Sequence, residues 1–489
     1  MITHSTPPAV HPGQSQLAPG QTGYVWGISI VAALGGLLFG YDWVVIGGAR
    51  QFYEQYFHLT SAALVGWANS CALVGCLLGS LAAGSLAARF GRRNILLLSA
   101  MLFAVSSGLT GWAQSFHAFI VWRIAGGIAI GLSSNVSPLY IAEVSPAATR
   151  GRLVSLNQFA IVVGILLAQV VNWLIARPVA PNMTAADALL SWNVQYGWRW
   201  MFTAVIAPSV VFLAASSFLP ESPRWLLVRE REREACTVLE RIGGAAYARG
   251  EMLAIQQALA LENANQSSLR ELLSPGVRRM LAIGIGLAVL QQWTGINILF
   301  NYAGDVYRGA GHGANDIFLD IVITGAINLV FTVLSMFMVD RVGRRPMMIF
   351  GCLGIGISHL LCAWAYHARW GAGAVLTLTL SAIACYATTL APVTWVLISE
   401  IFPNRVRSHA VSVSVSALWT ASFLLTYTFP GLNRLLGTSG TFLTYGVICL
   451  LGCVLNVRFV PETRGRSLEQ IEMESGQIDP QTARQPRFE

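Results

Sequence analysis

The amino-acid sequence predicts an all-α membrane protein of twelve transmembrane helices, arranged as two pseudo-symmetric six-helix halves. Three observations predict it: a composition too apolar for a soluble globule, twelve apolar runs long enough to cross a bilayer, and motifs that recur in the same order in each half. Of the 489 residues, 54% are hydrophobic and 11% charged, against about 25% charged in soluble proteins. Disorder, a collagen-like repeat and a disulfide-stapled secreted fold are excluded. The formal charge is +8, and all 31 basic residues are arginine. Such an excess need not signal nucleic acid, because positive charge also collects on cytoplasmic loops. Of the eight cysteines, seven sit in apolar runs, Cys236 sits in a charged loop, and no CxxC pair occurs. They read as small apolar filler, with no metal site implied.

A spanning helix needs about 20 mostly apolar residues. Such runs lie near 24–48, 62–88, 94–113, 117–141, 152–176 and 198–219, and again near 276–307, 315–339, 346–367, 371–400, 408–430 and 438–460. We number them spans 1 to 12. The chain then divides into an N-terminal tail (1–23), a first six-helix bundle (24–220), a polar linker (221–275), a second bundle (276–461) and a C-terminal tail (462–489). Residues 1–21 carry no arginine, so they lack the basic start of a signal peptide. The sign-alternating run Arg229 to Glu234 reads as a solvated helix face. Arg50, Arg177, Arg199, Arg308, Arg369 and Arg434 fall on one side of the membrane. The other side holds Arg89, Arg92, Arg93, Arg150, Arg152, the linker, Arg341, Arg344, Arg345, Arg405, Arg407 and the C-terminal tail. The positive-inside rule places that richer side, with both termini and the linker, in the cytoplasm.

The third observation is repetition. Arg89-Phe-Gly-Arg-Arg93 follows span 2 and Arg341-Val-Gly-Arg-Arg345 follows span 8. Glu143, Pro146 and Arg150 follow span 4, and Glu400, Pro403 and Arg407 follow span 10, each 257 residues later. Pro220-Glu221-Ser222 ends span 6 and Pro461-Glu462-Thr463 ends span 12. A six-helix unit duplicated in parallel resembles the layout of the major facilitator superfamily, in which substrate sits near the midplane and the halves rock around it. Arginines of the RxGRR loops, Arg92 and Arg344, can pair with Glu143 or Glu400 and with helix C-terminal dipoles. With Arg150, Asp340 and Arg407 they form a candidate set of gating salt bridges that hold the cytoplasmic side shut. Ordinary positive-inside charge explains the arginines but not the repeated Glu and Gly spacing.

Charged residues deep in a span are costly and mark function. Asp42 in span 1 and Arg123 in span 4 stand in apolar surroundings and are expected to pair. Burial favours the neutral form of the carboxyl group and a guanidinium the charged form, so such a group can exchange a proton as conformation changes. A static structural pair is the competing reading. On span 5, Gln158, Gln169 and Asn172 share a face. On span 7, Asn297, Asn301 and Asp305 form an i, i+4, i+8 stripe, which Gln291 and Gln292 join if the helix breaks at Thr294-Gly295. Amides donate and accept without fixed charge, which suits hydroxyl groups; interhelical hydrogen bonding competes as an explanation. Trp395 and Trp419 lie well inside spans 10 and 11, where an indole face can stack on the C–H surface of a ring.

Taken together, Gly35–Gly48 (GGLLFGYDWVVIGG), RFGRR, SPLYIAEVSPAATRGR, PESPRWLL, QQWTGIN, RVGRR and PETRGRSLEQ resemble the sugar porter family of the major facilitator superfamily, from span 1 to the start of the C-terminal tail. Within it the chain is most similar to bacterial proton-coupled pentose and hexose symporters, on the acid at Asp42 opposite Arg123. The resemblance implies sugar contacts at Gln158, Gln291, Gln292, Asn297, Asn328 and Trp395, a cavity lined by Phe39 and Trp419, and small cytoplasmic helices over 221–275. Departures from the family pattern are Ala88 before the first RxGRR loop, where an acid or amide is usual, Leu418 before Trp419, Asn301 where Tyr is common and Ala391 where Gly is common.

The function expected is inward symport of a monosaccharide, pentose or hexose, with a proton by alternating access, in the cell (inner) membrane, by a monomer. The partners expected are the sugar, the proton and the bilayer, with no nucleic acid and no cofactor. No nucleotide loop or nucleophile–base pair suggests an enzyme. The rivals are a facilitative sugar or polyol uniporter and a nutrient sensor on the same fold.

Overall fold

The computed structural model describes residues 19–179, 184–264, 269–313, 316–403 and 405–464. The expectations for most of both tails therefore lie outside the described residues. Among the described residues there is no strand, and helices occupy all the apolar runs. The first half comprises Pro19–Tyr56, Ala62–Phe90, Arg92–Gly111, Phe116–Val144, Arg150–Ile175 and Asn193–Ser216. The second comprises Pro275–Gly309 in pieces, Asp316–Val342, Arg344–His367, Ala372–Glu400, and the helical stretch Arg407–Phe459. That last stretch has 53 residues, or ~80 Å at 1.5 Å per residue, far more than one crossing of a ~30 Å core. Gly437, at φ 69°, ψ 171°, divides it into spans 11 and 12.

The helix ends differ from the sequence expectation for identifiable reasons. Span 1 continues two turns past residue 48 because Tyr53 and Tyr56 pack on Phe119 and Trp198. Span 6 starts at Asn193 rather than 198, in one turn of π-helix. The buried Asn193 side chain brackets Arg177, accepting from its N–H at 2.9 Å and donating to its carbonyl at 2.8 Å, which anchors that start. Span 10 is interrupted at Thr389, φ −122°, ψ −83°. Pro392 has no N–H to give the carbonyl one turn back, so the interruption falls just ahead of it.

Close packing comes from small residues, as expected where lipid supplies no hydrophobic drive between helices. A methyl on Gly127 of span 4 would stand 1.9 Å from the Ala72 carbonyl of span 2, and one on Gly40 of span 1 would stand 1.9 Å from the Ile161 carbonyl of span 5. Between the halves, span 2 packs against span 11 and span 5 against span 8. The linker forms helices Pro223–Val228, Glu232–Ala264 with a kink at Gly244, and Leu269–Leu273. Its alternating charges are solvated: Arg231 and Glu234 pair at 2.7 Å, both about half exposed.

Candidate functional site

Asp42 and Arg123, 81 residues apart, meet between spans 1 and 4 with Oδ1 and a guanidinium nitrogen 3.0 Å apart. Their side chains are 1% and 3% exposed. The guanidinium also lies 5.2 Å over the Phe202 ring. In low dielectric the attraction is far stronger than in water, and span 1 is thereby tied to span 4. Asp42 Oδ2 and Arg123 Nε have no hydrogen-bond partner among the described residues. The pair thus holds one oxygen of the carboxylate and leaves the other without a partner among the described residues.

Span 7 ends its first helix at Trp293 and resumes at Ile296, with Gly295 in the left-handed region at φ 80°. Only glycine fits there: a Cβ would stand 2.6 Å from the Tyr445 ring. The break frees the Thr294 carbonyl, which receives the ring N–H of buried His359 at 2.8 Å. His359 is not among the site residues expected from sequence, although a histidine within an apolar span is a signal there. Around the break a chain of amides forms. Gln291 donates to the carbonyls of Leu390 and Ala391 at 3.4 Å, Gln292 donates to Gln291 at 3.1 Å, and Asn297 donates to Gln292 and to Ser422. The chain joins the broken span 7 to the interruption in span 10 and to span 11.

The other expected contacts are distributed less simply. Asn328 is buried on span 8 and Gln158 is half-buried on span 5. Asn172 donates to the Val45 carbonyl at 3.0 Å and so joins span 5 to span 1. Trp419 is 3% exposed, its ring 5.9 Å from that of Phe39 across the two halves, and Leu418 is buried beside it. Trp395, by contrast, is 37% exposed. The stripe Asn297, Asn301, Asp305 is not continuous, because the helix breaks again at Tyr302 (φ −122°, ψ 20°). Asp305 is thereby turned away from the amides and into an ion pair with Arg50, at 2.6 Å.

The RxGRR loops have two kinds of contact. Arg92 pairs with Glu143 through two bonds of 2.8 and 2.9 Å, and Arg344 lies 3.4 Å from Glu400. Each pair lies within one half, so neither joins the halves. Arg150 forms no ion pair among the described residues; it donates to the Ser145 carbonyl at 3.4 Å, and Arg407 donates to the Phe402 carbonyl at 3.1 Å. Both close the turn five residues back, at positions 257 residues apart. The Asp340 side chain lies outside the described residues. The remaining spacing is explained by Glu221 and Glu462. Glu221 accepts from the backbone N–H of Arg92 and Arg93, and Glu462 from those of Arg344 and Arg345. Each carboxylate thus caps the N-terminus of the span that follows an RxGRR loop, Glu221 that of span 3 and Glu462 that of span 9, satisfying N–H groups that have no intrahelical partner. Gly91 (φ 92°) and Gly343 (φ 101°) adopt a backbone open to glycine, and a Cβ would strike the same glutamates. The repeated motif is a helix cap as well as a charge cluster.

At the opposite end the bonds run between halves. Arg50, at the end of span 1, binds Glu54 and Asp305, both at 2.6 Å, and stacks 4.5 Å over Tyr302. Arg308 donates to Gln51, and Arg434 to the Thr60 carbonyl at 2.7 Å. A methyl on Gly47 would stand 2.4 Å from the Phe300 carbonyl, and one on Gly66 would stand 2.2 Å from the Tyr427 carbonyl. Those approaches bring spans 1 and 7, and spans 2 and 11, into backbone contact across the seam.

The family model described as sugar (and other) transporter matches residues 28–474. The D-xylose-proton symporter of Escherichia coli (strain K12) is 36% identical over 480 residues, covering 92% of this chain and 95% of that protein. The arabinose-proton symporter of Bacillus subtilis (strain 168) is 35% identical over 469 residues, covering 96% and 98%. The solved structure of the E. coli xylose transporter XylE in a partially occluded inward open conformation superposes with a TM-score of 0.80 at 34% identity, covering 91% of this chain and 100% of that one.

Proposed function

The chain belongs to the sugar (and other) transporter family, and we propose that it carries a monosaccharide, pentose or hexose, into the cell together with a proton by alternating access. The observation that carries the proton half of this reading is the buried Asp42–Arg123 pair with its unpartnered Oδ2. The sugar half rests on the amide chain Gln291, Gln292 and Asn297 at a helix break, with Trp419 and Phe39 facing each other beside it. These groups offer donors and acceptors without fixed charge, next to apolar ring faces. Gln158, Asn328 and Trp395 complete the sugar site.

In this reading the protein works as a monomer in the inner membrane. Its RxGRR loops, linker and both tails lie on the cytoplasmic side, and residues 24–220 and 276–461 move as two units. The end closed by Arg50 and Asp305 then faces outward, so the conformation is open to the cytoplasm. When that end opens, a proton from outside neutralises Asp42 at Oδ2 and weakens its hold on Arg123. Sugar bonded across the seam completes the loaded carrier, which rocks inward and releases both. The charged pair re-forms and the empty carrier returns.

The test is uptake of labelled pentoses and hexoses by vesicles containing the protein, with and without an imposed pH gradient. Gradient-dependent accumulation of at least one sugar supports the proposal. Uptake that never exceeds equilibration identifies a facilitator, in which the ion pair is structural.

A further inference from the structure

Gln169 has no task in the transport cycle as described, yet its surroundings are unusual. It is 1% exposed, and neither Nε2 nor Oε1 has a hydrogen-bond partner among the described residues. Asn172, one turn further along span 5, is satisfied by the Val45 carbonyl. Gln169 lies at the seam between halves, where span 5 packs on span 8: a methyl on Gly325 would stand 1.8 Å from its Oε1. Eleven residues separate it from Gln158, three helical turns along one face. Gly325 precedes Asn328 by three residues on the facing span, again on one face. The seam therefore sets Gln169 and Gly325 on the Arg50–Asp305 side of Gln158 and Asn328. An amide buried without partners raises the free energy of the state that buries it. Separating spans 5 and 8 at that end relieves the cost and turns the amide into the cavity that opens.

We propose that Gln169 is a sugar-contacting, specificity-determining residue of the outward-open state, bonding hydroxyls of the incoming monosaccharide on its way to Gln158 and Asn328. The proposal rests on the symport reading above. Its burial in the closed state also biases the empty carrier toward opening outward. Replacing it by leucine, apolar and of similar size, removes both effects.

The experiment measures the KM of sugar at each face of oriented proteoliposomes, and thermal unfolding of the purified protein without sugar. Gln169→Leu is expected to raise the outer KM roughly three- to tenfold, the loss of about one hydrogen bond, while the inner KM does not rise. Gln169→Asn, which keeps a shorter amide, restores part of the outer affinity. Without sugar, Gln169→Leu is expected to unfold at a higher temperature than the unmutated protein, because the unpartnered amide is gone. An outer KM unchanged from the unmutated protein, or an equal rise at both faces, overturns the proposal. A lowered unfolding temperature overturns it too, and that result is readable from protein that transports nothing. Absence of sugar transport by the unmutated chain instead overturns the symport reading on which it rests.

Discussion

The two ends of the molecule use the same chemistry for opposite purposes. At the end carrying the RxGRR loops, arginine–glutamate pairs stay inside each half: Arg92 with Glu143, Arg344 with Glu400. Glu221 and Glu462 hold spans 3 and 9 by their N-termini. At the other end, Arg50 reaches Asp305 and Arg434 reaches Thr60 across the seam, and glycines let backbones touch. Bonds of the first kind tie spans to one another within a half, so the proposed rocking of one half against the other does not break them. Bonds of the second kind must break every time that end opens. An arginine cluster at a helix end therefore reveals its role through which half its partner belongs to, and charge alone does not decide it.

Breaking the seam should have the largest effect. Asp305→Asn removes the ion pair between halves while leaving Arg50 its bond to Glu54. A charge-assisted bond is worth about 1.5–3 kcal/mol, so the ratio of open to closed at that end should rise roughly tenfold to a hundredfold. Spin labels on the exposed residues His58 and Leu435, one in each half, should show a second, longer distance. Arg92→Ala is the control: it should lower the unfolding temperature and leave that distance unchanged. A longer distance in Arg92→Ala would mean that the RxGRR pairs also regulate the seam.

A smaller effect is expected within the caps. Gly91→Ala and Gly343→Ala each place an L-residue at positive φ with ψ near 160°, a backbone region that essentially only glycine adopts, at about 1–3 kcal/mol. Gly91 should suffer more, because its methyl meets Glu221 at 2.2 Å against 2.9 Å for Gly343 and Glu462. Paired unfolding midpoints measure this; equal shifts would show that the carboxylates yield freely. The smallest effect belongs to Glu221→Gln and Glu462→Gln, which keep an acceptor but lose its charge at the helix N-terminus, at about 0.3–1 kcal/mol each. Both should lower the unfolding midpoint slightly, with the label distance unchanged.

The sequence made the architecture legible because the bilayer imposes length and polarity on every span, and because duplicated motifs mark corresponding turns. Asp42 and Arg123 were legible for the same reason: a charge in an apolar run needs a partner, and there were few to choose from. Gly295 marked its own helix break. The second break falls on Tyr302, and the nearby Gly304 already lies in the resumed helix Ala303–Gly309, so from sequence alone Asp305 continues the amide stripe. Arg50 looked like an ordinary charge at a span end, because its partner lies 255 residues away and is fixed only by how the halves meet. The Glu221 cap was hidden by success of another kind. Its motif stands out as a repeat, but a carboxylate accepting backbone N–H groups leaves no trace in side-chain spacing. The exposure of Trp395 beside the burial of Trp419 is likewise absent from the sequence, because both are tryptophans well inside an apolar run.

The central claim is that Asp42 carries the coupled proton, and Asp42→Asn tests it most directly. An amide is neutral, of similar size and unable to release a proton, so it fixes the protonated form. Vesicles containing this variant should exchange labelled for unlabelled sugar across the membrane, as the unmutated protein does, and should fail to accumulate sugar under an imposed pH gradient. Exchange retained with accumulation lost is the predicted result. Accumulation of sugar several-fold above equilibrium by Asp42→Asn would place the proton on another group and contradict the account.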